Sequence, residues 1–375
     1  MSPPPTNGAR LASLDVLRGL TIAAMVLVNS PGTYRAIYPQ LMHSEWNGWT
    51  FTDTIFPLFL FMVGVSIAFS LDDRKRRGDP VKNLELRIVK RTLILFALGL
   101  VVNSFPLFYL SNIRIPGVLQ RIALCYFFAA NIVLCCSKRG QVMWLIGLLA
   151  AYWIMMLIIP VPGIGAGVIE PGKNFAAWLD RLGLQGHMWS QYETWDPEGL
   201  ASTIPAIATT LFGVMAGHWL RSRKTGREKA TGMLLAGLVL ILAGELAGVW
   251  FPINKNIWST SYSILMAGIA AACLAVVYWT VDLKGWKWWT APFLAFGMNP
   301  IFIYVVSELL DNLLRFFWFT TAAGHRINVR SYIFHTYFWP LASLVNASLL
   351  FAVCYVLLML ALAWIMMKRK WFIKV

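Results

Sequence analysis

A chain of 375 residues that is 58% hydrophobic and only 13% charged, with a mean hydropathy of +0.63, does not have the composition of a water-soluble globule. Its formal net charge of +15 would suggest a nucleic-acid binder in a soluble protein. Here most of the 32 Lys and Arg fall on alternate connections between apolar runs, the positive-inside bias of a membrane protein, and no nucleic-acid partner is expected.

Lipid offers no partners for backbone N–H and C=O groups, so apolar runs near the roughly 20 residues needed to cross a bilayer predict helices rather than a barrel. The expectation is an all-α, polytopic membrane protein with about ten transmembrane helices, at 14–30, 53–71, 88–104, 116–136, 142–160, 200–220, 230–250, 259–281, 291–311 and 341–366. The connections 72–91, 137–140, 221–229 and 282–287 are basic and therefore predicted cytoplasmic, together with a short N-terminal tail (1–13) and a basic C-terminal tail (367–375). Between the tails, 14–366 reads as one transmembrane domain. The first apolar run lacks a signal-peptide cleavage pattern. The five cysteines lie in apolar runs or at their ends without metal-ligand spacing, so neither a disulfide framework nor a metal site is expected.

The opposite connections are of another kind. The stretch NSPGTYRAIYPQLMHSEWNGWTFTDTIFPLF (29–59) joins the first two spans and holds His43, Glu45, Trp46, Asn47 and Asp53. A loop at about 161–199 is long, aromatic and polar, which suits a lid or binding element. Segment 312–340 is too polar in its second half to span, and reads as an interfacial or re-entrant piece.

Ionisable groups inside spans are costly in lipid and so are functional candidates: Asp15, Arg18, Asp53, Arg121, Glu245, Glu308 and Asp311. Asp15 and Arg18 share a helix face and can pair. A buried Arg needs a carboxylate or phosphate, which makes Gln120 and Arg121 candidate ligands for an anionic substrate. His43 lies in the polar loop bracketed by Asn29 and Asp53, and folding back of that loop would bring all three to one depth. Imidazole suits proton transfer near neutrality, an adjacent carboxylate would fix its tautomer, and the Asn29 amide could hydrogen-bond an oxyanion. Together they predict an acyl-transfer site. No HExxH, Walker loop or GxGxxG is present to suggest metal or nucleotide-hydrolysing chemistry.

The segments RLASLDVLRGLTIAAMVLVNS and HSEWNGWTFTDTIFPLFLFMVGVSIAFS, followed in order by RIPGVLQRIALCYF, WDPEGLASTIPAIATTLFGVMAG, FPINKNIWSTSYSILMAG and FGMNPIFIYVVSELL, resemble the heparan-α-glucosaminide N-acetyltransferase family, bacterial members included. The resemblance implies transfer of an acetyl group from cytoplasmic acetyl-CoA to the amino group of a glucosamine-type sugar at the outer face. It also implies an inner-membrane location and a homodimer. In this family the histidine before WNG is catalytic, here His43, and the asparagine ending the first span assists it, here Asn29. The large N-terminal luminal domain of the lysosomal member is not expected here. On this reading the donor path passes Arg18, Gln120, Arg121, Ser261 and Asn299, and the acceptor meets Trp46, Asn47, Asp196, Glu198 and Lys255. The competing expectation is a transporter of an amino sugar or similar solute. That would call for inverted repeats and paired helix breaks, of which no pair is visible.

Overall fold

The computed structural model describes residues 11–321 and 324–373; most of the expected N-terminal tail and the last two residues of the chain lie outside the described residues. The described residues are all-α apart from one short hairpin, β1 (Trp318–Thr320) with β2 (Arg326–Asn328). Among the described residues, eight helices are long and apolar enough to cross a membrane: α1 (Ala12–Asn29), α2 (Phe51–Arg76), α4 (Val118–Cys135), α5 (Lys138–Leu157), α7 (Thr203–Leu220), α8 (Gly226–Ala247), α9 (Thr260–Val277, continuing as a π turn to Leu283) and α13 (Leu344–Lys368). The pair α10 (Ala291–Met298) and α11 (Pro300–Phe316) makes a ninth if counted as one broken span.

Two expectations change here. The stretch 88–104 belongs to α3 (Val81–Ser104), whose basic Arg87, Lys90 and Arg91 keep it below the composition of an ordinary span. It nonetheless runs from one end of the bundle to the other. It begins just after the basic end of α2, and near its last turn Asn103 donates to the carbonyls of Arg114 and Pro116 ahead of α4. The predicted straight span 291–311 is instead bent by 84° at Asn299, where proline at the next position withdraws a backbone donor. In the long loop, a short helix α6 (Phe175–Leu184) forms, started by Asn174, whose side chain accepts from the Ala177 amide. The interfacial segment contains the hairpin and a short α12 (Val329–Ile333).

Each described end of the chain is tied to a different part of the bundle. Asp282, at the end of the α9 extension, accepts from the Ala12 and Ser13 amides, capping α1. Beyond α13 the chain turns back through Lys370, which adopts a left-handed φ of 57°. Asn299 then grips the tail, donating to the Trp371 carbonyl and accepting from the Ile373 amide, each at 2.9 Å.

Helices α2 and α7 approach so closely that glycine is required on both. A Cβ at Gly64 would lie 1.9 Å from the Thr210 carbonyl oxygen, and one at Gly213 would lie 1.9 Å from that of Phe61. This contact sets the first turn of α2, and hence Asp53, beside the start of α9: the Tyr262 hydroxyl donates to the Asp53 carbonyl at 2.6 Å.

Candidate active site

Asp53 lies in the first turn of α2 with its side chain fully buried, and every acceptor position it has is oriented by the loop before it. Its Oδ2 accepts from the Ser44 and Thr50 amides, both at 3.0 Å, and from the Thr50 hydroxyl at 3.1 Å. Its Oδ1 is 2.7 Å from His43 Nδ1. An ionised carboxylate only accepts, so Nδ1 carries the proton in this contact and Nε2 keeps its lone pair. The pair has the geometry of a carboxylate orienting an imidazole, an arrangement able to support general-base chemistry.

A second loop is laid against the first. The Gly48 amide donates to the Ile253 carbonyl at 2.8 Å, Asn254 Nδ2 to Asn47 Oδ1 at 3.2 Å, and Asn256 Nδ2 to the Glu45 carbonyl at 3.3 Å. Lys255, between the two asparagines, thereby places Nζ 3.3 Å from both imidazole nitrogens of His43. The imidazole is half accessible to water (50%), and the protein on its other side is close enough to weaken solvation of a charge. Burial and then the Lys255 ammonium hold its pKa below the usual 6.5, against the opposing pull of Asp53 and Glu198. Burial lowers the Lys255 pKa as well, with Glu198 and Asp53 opposing.

The wall beyond is aromatic and charged. Trp46 donates to the Ile169 carbonyl at 3.1 Å and meets Trp195 edge-on at 5.2 Å, and Trp195 stacks on Tyr192 at 4.2 Å. Arg114 forms a fork with both oxygens of Asp196, at 2.7 and 2.8 Å, and also reaches Glu198 at 2.6 Å. Burial disfavours the Glu198 carboxylate, but Arg114, Arg121 and Lys255 outweigh it and hold the pKa below the usual range.

The predicted site residues divide into two groups. His43, Asp53, Trp46, Asn47, Glu198 and Lys255 share one neighbourhood. Asp196 lies beside them but is committed to the framework, since the Trp189 and Glu198 amides, both at 2.9 Å, take the acceptor positions that Arg114 leaves. Asn29 turns towards α11, donating to Glu308 Oε1 at 3.0 Å.

Among the expected donor-path residues, Ser261 is fully buried and spends its hydroxyl on the Phe251 carbonyl and Ser259. Asn299 is spent on the tail. Arg18, about 16 Å from Asn29 along α1, pairs with Asp15 and donates to the Gly297 carbonyl at 3.1 Å. Gln120 and Arg121 differ. Arg121, 1% exposed, donates to Gly199 and Ser202 and lies over the Trp258 ring, yet its Nε and Nη1 have no protein partner; neither polar atom of the buried Gln120 has one. Buried donors left unspent are costly unless a ligand or water meets them. Residue types alone did not indicate Arg114 or the hydroxyl of Tyr262, and the one available signal was WDPE, two carboxylates needing a cation.

A family model described as heparan-alpha-glucosaminide N-acetyltransferase, catalytic, matches residues 10–247. The chain is 32% identical to the mouse heparan-alpha-glucosaminide N-acetyltransferase over 395 aligned positions, covering 91% of this chain and 60% of the relative. It is 32% identical to the human protein of the same name over 388 positions, covering 88% and 58%. The chain thus spans about three fifths of the length of these curated relatives. With the family model matching more than half its residues and 32% identity extending over about nine tenths of its length, this chain belongs to the heparan-alpha-glucosaminide N-acetyltransferase catalytic family.

Proposed function

We propose that this integral membrane protein, placed in a bacterial inner membrane, moves an acetyl group from cytoplasmic acetyl-CoA to the amino group of a glucosamine-type sugar at the outer face. The observation that carries the reading is the contact of 2.7 Å between His43 Nδ1 and the fully buried Asp53 carboxylate, which leaves the lone pair on Nε2, the nitrogen that Lys255 also approaches. The names of the relatives support the class of reaction.

In the mechanism, the acceptor amine approaches His43 from its water-accessible side, with Trp46 and Asn47 beside it. As nitrogen attacks the thioester carbonyl, Nε2 takes its proton and Asp53 stabilises the imidazolium that forms. The tetrahedral oxyanion needs a donor. Arg121, whose Nε and Nη1 have no protein partner, is one candidate; Asn29, which gives one N–H to Glu308 and keeps a second, is the other. Collapse expels the CoA thiolate, which recovers the proton. An acetyl-histidine on Nε2 is the alternative order of the same bonds.

The test is release of free CoA thiol by purified protein given acetyl-CoA and a panel of amino sugars. His43→Ala is expected to lower kcat by about 10²- to 10⁴-fold, the usual share of general-base catalysis. Uptake of glucosamine into vesicles with no thiol release would sink the transferase reading.

A further inference from the structure

The unusual element of the site is that the protein supplies a primary amine of its own. Lys255 Nζ is 3.3 Å from both nitrogens of the imidazole, and these are its only hydrogen-bond contacts among the described residues. Among the described residues it forms no ion pair within 4.0 Å, although Glu198, Asp53, Arg121 and Arg114 all act on it through space. It is not a lysine that has strayed in on a flexible loop. Both neighbours, Asn254 and Asn256, are buried and hydrogen-bonded to the loop that carries His43, and Asn254 is further held by Ser259. The amine is therefore delivered to the base by backbone that is fixed on each side.

We propose that Lys255 is a self-acetylation site: with donor bound and no acceptor present, its ε-amine takes the acetyl group and becomes Nε-acetyllysine. The inference rests on the acetyl-transfer reading and follows from its chemistry, because a lysine ε-amine and a sugar amine are both primary amines. The base that deprotonates one is in place to deprotonate the other. In the step, an Nζ–C bond forms and the thioester C–S bond breaks. One Nζ proton passes to His43 Nε2 and then to the departing thiolate, so CoA leaves as the thiol with no change of oxidation state. The lowered pKa of Lys255 raises the fraction of its amine that is neutral and nucleophilic.

The product differs from any acetyl-histidine in being an amide, which does not hydrolyse on the timescale of turnover. It removes a positive charge beside the imidazole and occupies the side from which an acceptor would come. The enzyme is thus inactivated by donor alone and protected by acceptor.

The experiment incubates the purified full-length chain with labelled acetyl-CoA in the absence of acceptor, followed by digestion and peptide mass spectrometry. The expected result is one acetyl group on the peptide holding Lys255, stable to neutral hydroxylamine, with thiol release on later addition of glucosamine falling in proportion to the acetylated fraction. Excess glucosamine present from the start should suppress the modification. Lys255→Arg keeps the charge but has no primary amine, and should carry no stable label and show no progressive loss on exposure to donor. An unmodified Lys255 in a preparation that acetylates glucosamine would overturn the inference alone. So would equal acetylation of Lys255 in folded His43→Ala, since the reaction would then not need the base. Acetylation of Lys255 on exposure to donor, together with no amine-dependent thiol release when fresh, unacetylated protein receives acetyl-CoA and each amine of the panel at the same moment, would instead overturn the amino-sugar reading and leave the inference standing.

Discussion

An imidazole set between an ammonium and a buried carboxylate is pulled in two directions, and the balance fixes when it can act as a base. Burial and Lys255 lower the pKa of His43 below 6.5, while Asp53 and Glu198 raise it. The neutral form therefore dominates at pH 7, and kcat/KM should rise with pH through a limb centred below 6.5 and then level. Removing the ammonium with Lys255→Met should move that limb to higher pH. Asp53→Asn should move it lower and also cost rate, because the tautomer is no longer held. A pH profile of the three proteins decides, and the opposite order of the two variants would refute the balance. At this scale the sequence indicated which residue types mattered, since His43 and Asp53 fall in one polar loop at helical depth. It did not indicate the partner of Asn29, and although Lys255 was expected among the acceptor contacts, its direct approach to the imidazole of His43, 212 positions away, was not.

The elements that carry the site are two loops and a broken helix. Asp196 braces the loop before α7: Arg114 and two backbone amides fill its carboxylate, whose side chain is fully buried. Removing one partner of such a pair leaves an uncompensated charge, so Arg114→Ala should destabilise by about 3–5 kcal/mol. Chemical denaturation in detergent measures this, and a loss of under about 1 kcal/mol would return the pair to the class of exposed ion pairs. Asn299 plays a comparable part at the basic end, where it holds the tail that follows Lys368 and Arg369. Cations close to a polyanion's entrance raise its local concentration. Asn299→Ala should therefore raise KM for acetyl-CoA more than for S-acetylpantetheine, which lacks the nucleotide phosphates. Equal changes for both donors would remove the tail from donor recognition. The break at Asn299 was not readable beforehand, since residues 291–311 have the composition of one continuous span and the 84° bend arises where the asparagine side chain turns to the tail backbone.

At the scale of the molecule, the site depends on how closely α2 and α7 can approach. Gly64→Val and Gly213→Val each force a side chain into a carbonyl of the facing helix, at a cost of about 1–3 kcal/mol by overpacking. Each should lower thermal stability in detergent; a small-to-large change on the exposed face of α8, such as Ala236→Leu, should not. The sequence by itself determined the class, the positions of eight of the ten expected spans and the alternation of basic connections. A bilayer obliges each crossing to satisfy its backbone locally, so about 20 consecutive residues carry the whole signal. Only the tertiary structure decided which polar groups meet. Asp196, Ser261 and Asn299 became framework, Gln120 and Arg121 kept unspent atoms, and Lys255 came to rest on His43. Those outcomes depend on helix rotation and on backbones touching at glycine, contacts between residues far apart in the chain that no local periodicity records.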